Sequence, residues 1–175
     1  MSDDLRYPIG KFQFPENSSD QEREALLQQI EDTPAKLREA VKGLDDEQLG
    51  TPYRPDGWTV RQVVHHIPDS HLNSYVRFKL AVTEDSPTIK AYDEAAWARL
   101  ADAQTASVET SLQLLESLHE RWLQFLRSLG PDELDRSFKH SELGSVTVRQ
   151  NIALYAWHGR HHVAHITSLR ERQGW

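Results

Sequence analysis

Histidine is the residue type in this chain whose number and spacing point most directly to chemistry. The 175 residues include nine histidines and no cysteine, so any reaction here must rely on imidazole, carboxylate, hydroxyl or a bound ion. Many of the histidines fall in two short segments, which read "VVHHIPDSH" (63–71) and "WHGRHHVAH" (157–165). Neutral imidazole is a common ligand of borderline divalent ions such as Zn²⁺ and Ni²⁺. These two segments are therefore candidates for a metal site.

The spacing within the second segment favours one pair of histidines. His158 and His162 stand four residues apart, so on a helix they share a face and their ring nitrogens can meet one ion. His161 and His165 have the same spacing, but they lie further from the apolar side of the predicted helix. That side is marked by Val148, Tyr155, Ile166 and Leu169. We therefore expect His158 and His162 to face the core.

Both histidine segments follow the same four residues, "TVRQ", at 59–62 and at 147–150. A threonine with a glutamine three residues later has the spacing of a capping box, in which each side chain bonds a backbone N–H at the start of a helix. The repeat therefore predicts two matching helix starts.

The distance from each capping threonine selects a third histidine. At about 100° per residue, His66, His158 and His162 lie close to whole numbers of turns from their threonines, whereas His65 points about 100° further round. Three neutral imidazoles from two helices would leave at least one position on Zn²⁺ or Ni²⁺ for water or substrate. Such an ion keeps its full charge and can lower the pKa of bound water to about 7.

The segment is not a metalloprotease motif, because Gly159 stands where the pattern H-E-x-x-H needs its glutamate base. The nearest carboxylate in the sequence is Asp69, three residues after His66. It either orients a ligand or accepts a proton, or else it binds an arginine or caps a kink at Pro68. His119 and His140 are interpreted as ordinary surface or core histidines. Further candidate polar groups of a pocket are Asn73, Arg77 and Tyr155.

The apolar periodicity predicts an all-α protein built on four long helices. The predicted helices cover residues 19–44, 59 to about 80, 107–129 and 147 to about 172. Residues 1–18 are expected to form an extended arm, the first helix to break or kink at Pro34, residues 86–102 to hold a short connecting helix, and residues 131–146 to form a loop. Helices of this number and length favour a four-helix bundle.

Length and composition fit one soluble domain spanning residues 1–175. No run approaches the roughly 18 apolar residues that a membrane helix needs, and the start "MSDDLRYPIG" is too acidic and polar for a signal peptide. We therefore expect a cytoplasmic protein without a membrane partner. The net charge of −7, with no compact basic patch, also disfavours nucleic-acid binding.

Several segments together resemble the YfiT-like proteins of the DinB superfamily over nearly the whole chain. They are "YPIG", "PYRPDGWTVRQVVHHIPDSHLNSYVRFKLAVTE", "WHGRHHVAHITSL" and the final "GW". The resemblance implies an up-down-down-up four-helix bundle, a homodimer, and one divalent metal ion per subunit held by three histidines. The family's ligands match the second histidine of "VVHH" and the first and last of "HGRHH", which are His66, His158 and His162 here.

Three functions stay open at the level of sequence. Members of this group are classed as metal-dependent hydrolases, which would act here on a small molecule. Relatives in the superfamily transfer low-molecular-weight thiols such as bacillithiol to electrophiles, and the lack of a glutamate beside the ligands favours that chemistry, because a thiol loses its proton more readily than water. A non-catalytic metal-binding module would instead close the ion with a fourth ligand such as Asp69 or His161.

Overall fold

Four long helices form the frame of the protein in the computed structural model, which describes residues 5–15 and 19–175 except for the side chain of Asp20. They are α1 (Asp20–Val41), α3 (Val60–Thr83), α6 (Val108–Ser128) and α8 (Val148–Gln173). Shorter helices in the connections are α2 (Asp46–Leu49), α4 (Glu94–Trp97), α5 (Ala101–Thr105) and α7 (Pro131–Leu134). The predicted four-helix bundle is confirmed. Of the predicted arm, residues 1–4 and 16–18 lie outside the described residues.

The loop predicted after α6 is partly wrong, because it contains a small hairpin. Strand β1 (Ser137–His140) pairs antiparallel with β2 (Gly144–Thr147). Phe138 and Val146 face each other across the pair, and each is only 1% exposed. Strands of four residues are too short for their alternation to stand out in a sequence. Similarly, the single connecting helix predicted between α3 and α6 is two short helices, α4 and α5.

The two "TVRQ" segments begin helices as predicted. The backbone N–H of Gln62 donates to the Thr59 hydroxyl at 3.2 Å, and the N–H of Thr59 donates to the Gln62 side chain at 2.9 Å. Thr147 and Gln150 repeat both bonds at 3.2 and 3.0 Å. Each capping box satisfies two N–H groups that the first turn of a helix leaves free.

The hydrogen bonds and contacts between helices fix the direction of each one. Contacts between α1 and α8, and between α3 and α6, run in the same order along both helices, so each pair is parallel. Contacts between α3 and α8, and between α1 and α6, run in opposite order. The parallel pairs are defined by Thr33 with Gly159 and Ala40 with Arg170 between α1 and α8, and by His65 with Ser111 and His71 with His119 between α3 and α6. The antiparallel pairs are defined by Ser70 with Tyr155 and Ser74 with Asn151 between α3 and α8, and by Ile30 with His119 and Arg38 with Glu109 between α1 and α6. The topology is therefore up-down-down-up.

Apolar side chains form two buried clusters inside this frame. One contains Phe78, Trp122 and Phe138, and the other contains Leu37 and Ile67. Most of the buried polar residues are histidines, and these are His65, His66, His71, His119, His161, His162 and His165. No helix in the described ranges is long and apolar enough to cross a membrane.

Helix α8 comes unusually close to α1 at Gly159. A Cβ atom added to Gly159 would lie 2.5 Å from the hydroxyl oxygen of Thr33 and 2.8 Å from its methyl carbon. Thr33 is buried, and its hydroxyl donates to the Gln29 carbonyl at 2.9 Å, so the side chain has no free direction in which to move. The close contact between the two helices therefore requires glycine at 159.

We predict that Gly159→Ala lowers the free energy of unfolding. Alanine should gain about 1 kcal/mol of helix propensity over glycine, but overpacking a core contact costs about 1–3 kcal/mol. Chemical denaturation should show a net loss, and adding Thr33→Ala to the Gly159→Ala variant should recover part of it because both close atoms are then removed. A Gly159→Ala protein more stable than the wild type would contradict the packing argument.

Candidate metal centre

The structure brings together the three histidines that the sequence selected. His66 comes from α3, and His158 and His162 come from α8. One ring nitrogen of each lies within 4.8 Å of the others. The ring centroids are 5.4 Å apart for His66 and His158, 4.7 Å for His66 and His162, and 4.5 Å for His158 and His162. His66 lies seven residues after its capping threonine, and His158 and His162 lie eleven and fifteen residues after theirs. Because α3 and α8 are antiparallel, these three positions meet at the same level of the bundle.

The free nitrogens of this cluster fit a divalent ion. Among the described residues, nothing forms a hydrogen bond with the rings of His66 or His162, and the Nδ1 atom of His162 is buried without a partner. A buried polar atom without a partner is costly unless something absent from the protein chain satisfies it. No fourth histidine, aspartate or glutamate of the described ranges joins the group. An ion held there would keep an open position.

Burial keeps these imidazoles neutral. Desolvation, followed by repulsion from His165, lowers the pKa of His66 to about 4. Desolvation likewise lowers the pKa values of His158 and His162 well below the usual value, with the neighbouring histidines adding to the effect. A neutral imidazole has a lone pair available for a metal ion. The ligand set is therefore ready to bind at neutral pH without first losing protons.

A cavity of about 420 Å³ opens onto the three histidines. Its walls are largely aromatic, and its aromatic lining residues are Tyr7, Tyr53, Trp58 and Trp157. A second cavity of about 600 Å³ reaches His158 from another side and is lined by Ser70, Arg77, Tyr92 and Tyr155, among others. Glu94 and Ala95, at the start of α4, line both cavities.

His161 and His165 were expected to lie further from the apolar side of the helix than His158 and His162, yet they are buried as well. Residues outside the bundle cover them. His165 donates its Nε2–H to the Arg6 carbonyl at 3.0 Å and stacks on Tyr53 with centroids 4.0 Å apart. Tyr7 stacks on His161 at 5.9 Å. The chain before α1 and the loop before α3 therefore provide the cover that helix periodicity could not predict.

The structure places Asp69 outside the group of His66, His158 and His162. It lines neither cavity, and its carboxylate accepts no hydrogen bond from the described residues. Desolvation, with a contribution from Asp102, raises its pKa to about 6. Asn73 bonds the Asp69 carbonyl within their own helix at 2.8 Å. Of the other predicted pocket residues, Arg77 and Tyr155 do line the second cavity.

Sequence reasoning missed three residues near the centre. His71 and His119 form a line of hydrogen bonds behind His158, and Glu94 lines the same cavity as the three clustered histidines. His71 belongs to the same histidine-rich segment as His66, so its position carried a signal. His119 is isolated on α6, and Glu94 lies in a long connection, so neither had a spacing from which to infer a role.

Comparisons with known proteins agree with this geometry. A protein of Bacillus mycoides named "Putative metal-dependent hydrolase" is 55% identical over 172 residues, covering 98% of this chain and 99% of its own length. A Bacillus anthracis protein with the same name is 54% identical over the same shares. The solved structure of YfiT from Bacillus subtilis, described as a probable metal-dependent hydrolase with an unusual four-helix bundle topology, matches with a TM-score of 0.96 and 48% identity, over 98% of this chain and 99% of that one.

A more distant structure confirms the fold alone. The four-helix bundle protein TT2238 matches with a TM-score of 0.58 and 18% identity, over 87% of this chain. The family model of the DinB superfamily matches residues 29–166, which include all four long helices in whole or in large part and all three clustered histidines. The chain belongs to the DinB superfamily and is similar throughout its length to relatives named as metal-dependent hydrolases.

Proposed function

We propose that this protein is a hydrolase of small molecules that uses one divalent metal ion bound by His66, His158 and His162. The observation that carries the proposal is the group of three neutral ring nitrogens, all within 4.8 Å of one another, at the wall of an open cavity. A structural metal site is normally closed by four protein ligands, whereas a catalytic one keeps a position for water or substrate. A group of three therefore favours catalysis over a structural role.

The ligand type favours Zn²⁺, with Ni²⁺ as the second choice. Imidazole suits both ions, and three histidines with an open position are a recognised catalytic zinc arrangement. When bound, such an ion lowers the pKa of water in its open position to about 7 and polarises the bond to be cleaved. The chain must then supply a group that accepts the proton.

Glu94 is our candidate for that group. It lines the same cavity as the three histidines, and it comes from the connection between α3 and α6. Desolvation, with repulsion from Glu142 and Asp93, raises the pKa of its carboxyl. A carboxylate whose pKa is raised towards neutrality is a better general base than an ordinary one. Asp69 lacks this access to the cavity.

Transfer of a small thiol to an electrophile is a second candidate. It is favoured by the two cavities of about 420 and 600 Å³ that both reach His158, because they offer space for two reactants at one ion. Hydrolysis needs only one such space besides water. The two reactions can be separated by their products.

Metal content provides the first test. We predict that purified protein binds about one divalent ion per chain, measured by elemental analysis after dialysis. His162→Ala should lose more affinity than the roughly 10–100-fold that removal of an outer hydrogen-bond partner costs. His161→Ala is the matched control, since it removes the neighbouring buried imidazole outside the group and should retain the ion. Equal retention by both variants would contradict the proposed ligand set.

The reaction provides the second test. With Zn²⁺ or Ni²⁺ restored to chelated protein, a panel of small esters and amides should be cleaved, and Glu94→Gln should reduce kcat by about 10²–10⁴-fold, the range of general base catalysis. Metal binding by Glu94→Gln should stay unchanged. A panel of thiols with an electrophile, followed by mass spectrometry, tests transfer. A thiol adduct without any ester or amide cleavage would reject hydrolysis in favour of the second candidate.

Acid should destabilise the metal-free protein. Desolvation lowers the pKa of His119 to about 4, whereas an unfolded histidine has a pKa of about 6.5. Below pH 6.5 the unfolded state therefore binds more protons than the folded state, and the free energy of unfolding falls by up to about 1.4 kcal/mol per pH unit for each such histidine, down to about pH 4. Asp69 and Glu94 have the opposite sign, because the pKa of Asp69 is raised to about 6 and that of Glu94 is also raised, but the buried histidines outnumber these two carboxyl groups.

Urea unfolding between pH 5 and 8 with a chelator present would measure this dependence. We expect stability to be nearly constant above pH 7 and to fall steeply below pH 6.5. His119→Gln, which removes one titrating group, should show a shallower slope than the wild type. A stability that rises on acidification from pH 7 to pH 5 would contradict the neutral, buried state of the histidines.

A further inference from the structure

Pro34 leaves one carbonyl of α1 without its usual partner. In an α-helix the carbonyl of residue 30 accepts from the N–H of residue 34, and proline has no N–H. Helix α1 nevertheless runs through Pro34 without a break. The Ile30 carbonyl is therefore free to accept a hydrogen bond from outside the helix.

His119 of α6 provides that bond. Its Nδ1 lies 2.8 Å from the Ile30 carbonyl oxygen. A carbonyl oxygen only accepts, so the proton of the neutral ring must be on Nδ1, and the lone pair must be on Nε2. His119 is only 2% exposed, and desolvation lowers its pKa to about 4, which keeps the ring neutral. The free carbonyl of α1 thus determines the tautomer of a histidine on another helix.

Each ring fixes the tautomer of the next one. His71 Nδ1 lies 2.8 Å from His119 Nε2, which is a lone pair, so His71 must donate its Nδ1–H. Its Nε2 is then a lone pair, and His158 Nδ1 lies 3.1 Å from it. His158 must donate in turn, which leaves its Nε2 unprotonated. Within the described part of the chain, its one hydrogen-bond partner is the Ser70 hydroxyl, at 3.4 Å.

We infer that His71 and His119 are positioning residues, which are anchored on the Ile30 carbonyl and hold His158 in the tautomer whose Nε2 lone pair is free for the metal centre. The role assigned to Nε2 rests on the proposed function, but the tautomers themselves do not. Ligands whose second nitrogen donates to a fixed acceptor are better oriented and more basic. His158 would therefore bind an ion without first rearranging.

The line of rings cannot serve as a proton pathway. In a relay, the proton of each ring would have to move from Nδ1 to Nε2. His119 Nδ1 would then place a lone pair against the lone pairs of the Ile30 carbonyl oxygen. Among the described residues, no other hydrogen bond competes for the ring nitrogens of His71 and His119. Trp122 and Tyr155 pack edge-to-face against His71 with centroids 5.5 and 5.2 Å away. Trp122 also packs against His119 at 5.4 Å. The three tautomers are therefore fixed in one sense.

The tautomers can be measured directly in the metal-free wild-type protein. Long-range ¹H–¹⁵N correlation spectra of protein labelled on histidine distinguish the protonated nitrogen of a ring from the bare one. We expect the proton on Nδ1 in His119, His71 and His158, although the Nε2–H form is the commoner one for free histidine in water. A proton on Nε2 of His119 or His71 would overturn the inference.

Two substitutions at one position separate positioning from general structure. His119→Leu fills the site but removes both hydrogen bonds, whereas the amide of His119→Gln can still donate to Ile30 and accept from His71. Competition with a chelator should show Zn²⁺ affinity reduced by about 10–100-fold in His119→Leu, the usual effect of losing an outer partner, and largely restored in His119→Gln. Leu115→Ala, which opens the core of the same helix, should lose stability without losing affinity.

A third variant, Pro34→Ala, should not impair folding, since alanine is a better helix former than proline. Its new N–H competes for the Ile30 carbonyl, so we expect the Nε2–H tautomer of His119 to appear in the spectra. Equal affinities for His119→Leu and His119→Gln, or equal losses in His119→Leu and Leu115→Ala, would overturn the positioning role. If the wild type binds no ion, the proposed function fails, while the spectra still decide whether the tautomers are fixed.

Discussion

The free carbonyl of Ile30 is the constraint on which the arrangement of the site depends. It exists because Pro34 cannot donate the hydrogen bond that a helix normally places there. A buried carbonyl without a donor is costly, and His119 supplies the donor from α6. That bond ties α1 to α6 and simultaneously fixes which nitrogen of His119 faces α3. The hydrogen bonds that begin at this carbonyl thus connect α1, α6 and α3 and end at the side chain of His158 on α8.

The same turn of α1 also sets the position of α8. Thr33, immediately before Pro34, is the residue against which Gly159 packs, and Gly159 directly follows His158. The short distance between α1 and α8 at this level therefore depends on glycine at 159, because any side chain there would displace Thr33. His158 is held from two directions, by backbone packing beside it and by hydrogen bonds behind it. Rigid support of this kind is what a binding site needs if it is to exist before its ligand arrives.

Features that are local in sequence could be predicted. Capping boxes and helical periodicity located the helix starts and selected His66, His158 and His162, because each signal depends on residues a few positions apart. Features that depend on distant residues could not. The cover over His161 and His165 comes from Tyr7 and Tyr53, outside the bundle helices.

His119 shows the same limit more clearly. Its partner carbonyl is 89 residues away in the sequence, so a lone histidine on an amphipathic helix gave no sign of its role. The sequence predicts a break or a kink at Pro34, and the break is wrong because the helix runs through the proline. What the sequence could not show was that the lost hydrogen bond is replaced from another helix, which makes the proline useful.

The packing of Gly159 also bears on where the base of the proposed centre would come from. In the metalloprotease pattern H-E-x-x-H, the residue after the first histidine is the glutamate base. Here that position points at Thr33 rather than into the cavity, and a Cβ would already be too close. None of the α8 residues that line the cavity is a carboxylate, and Glu94 reaches it from the connection between α3 and α6. That connection lies outside α3 and α8, the two helices that carry the three histidines. The fixed histidines would then determine that an ion binds, and the connection would determine what reacts there.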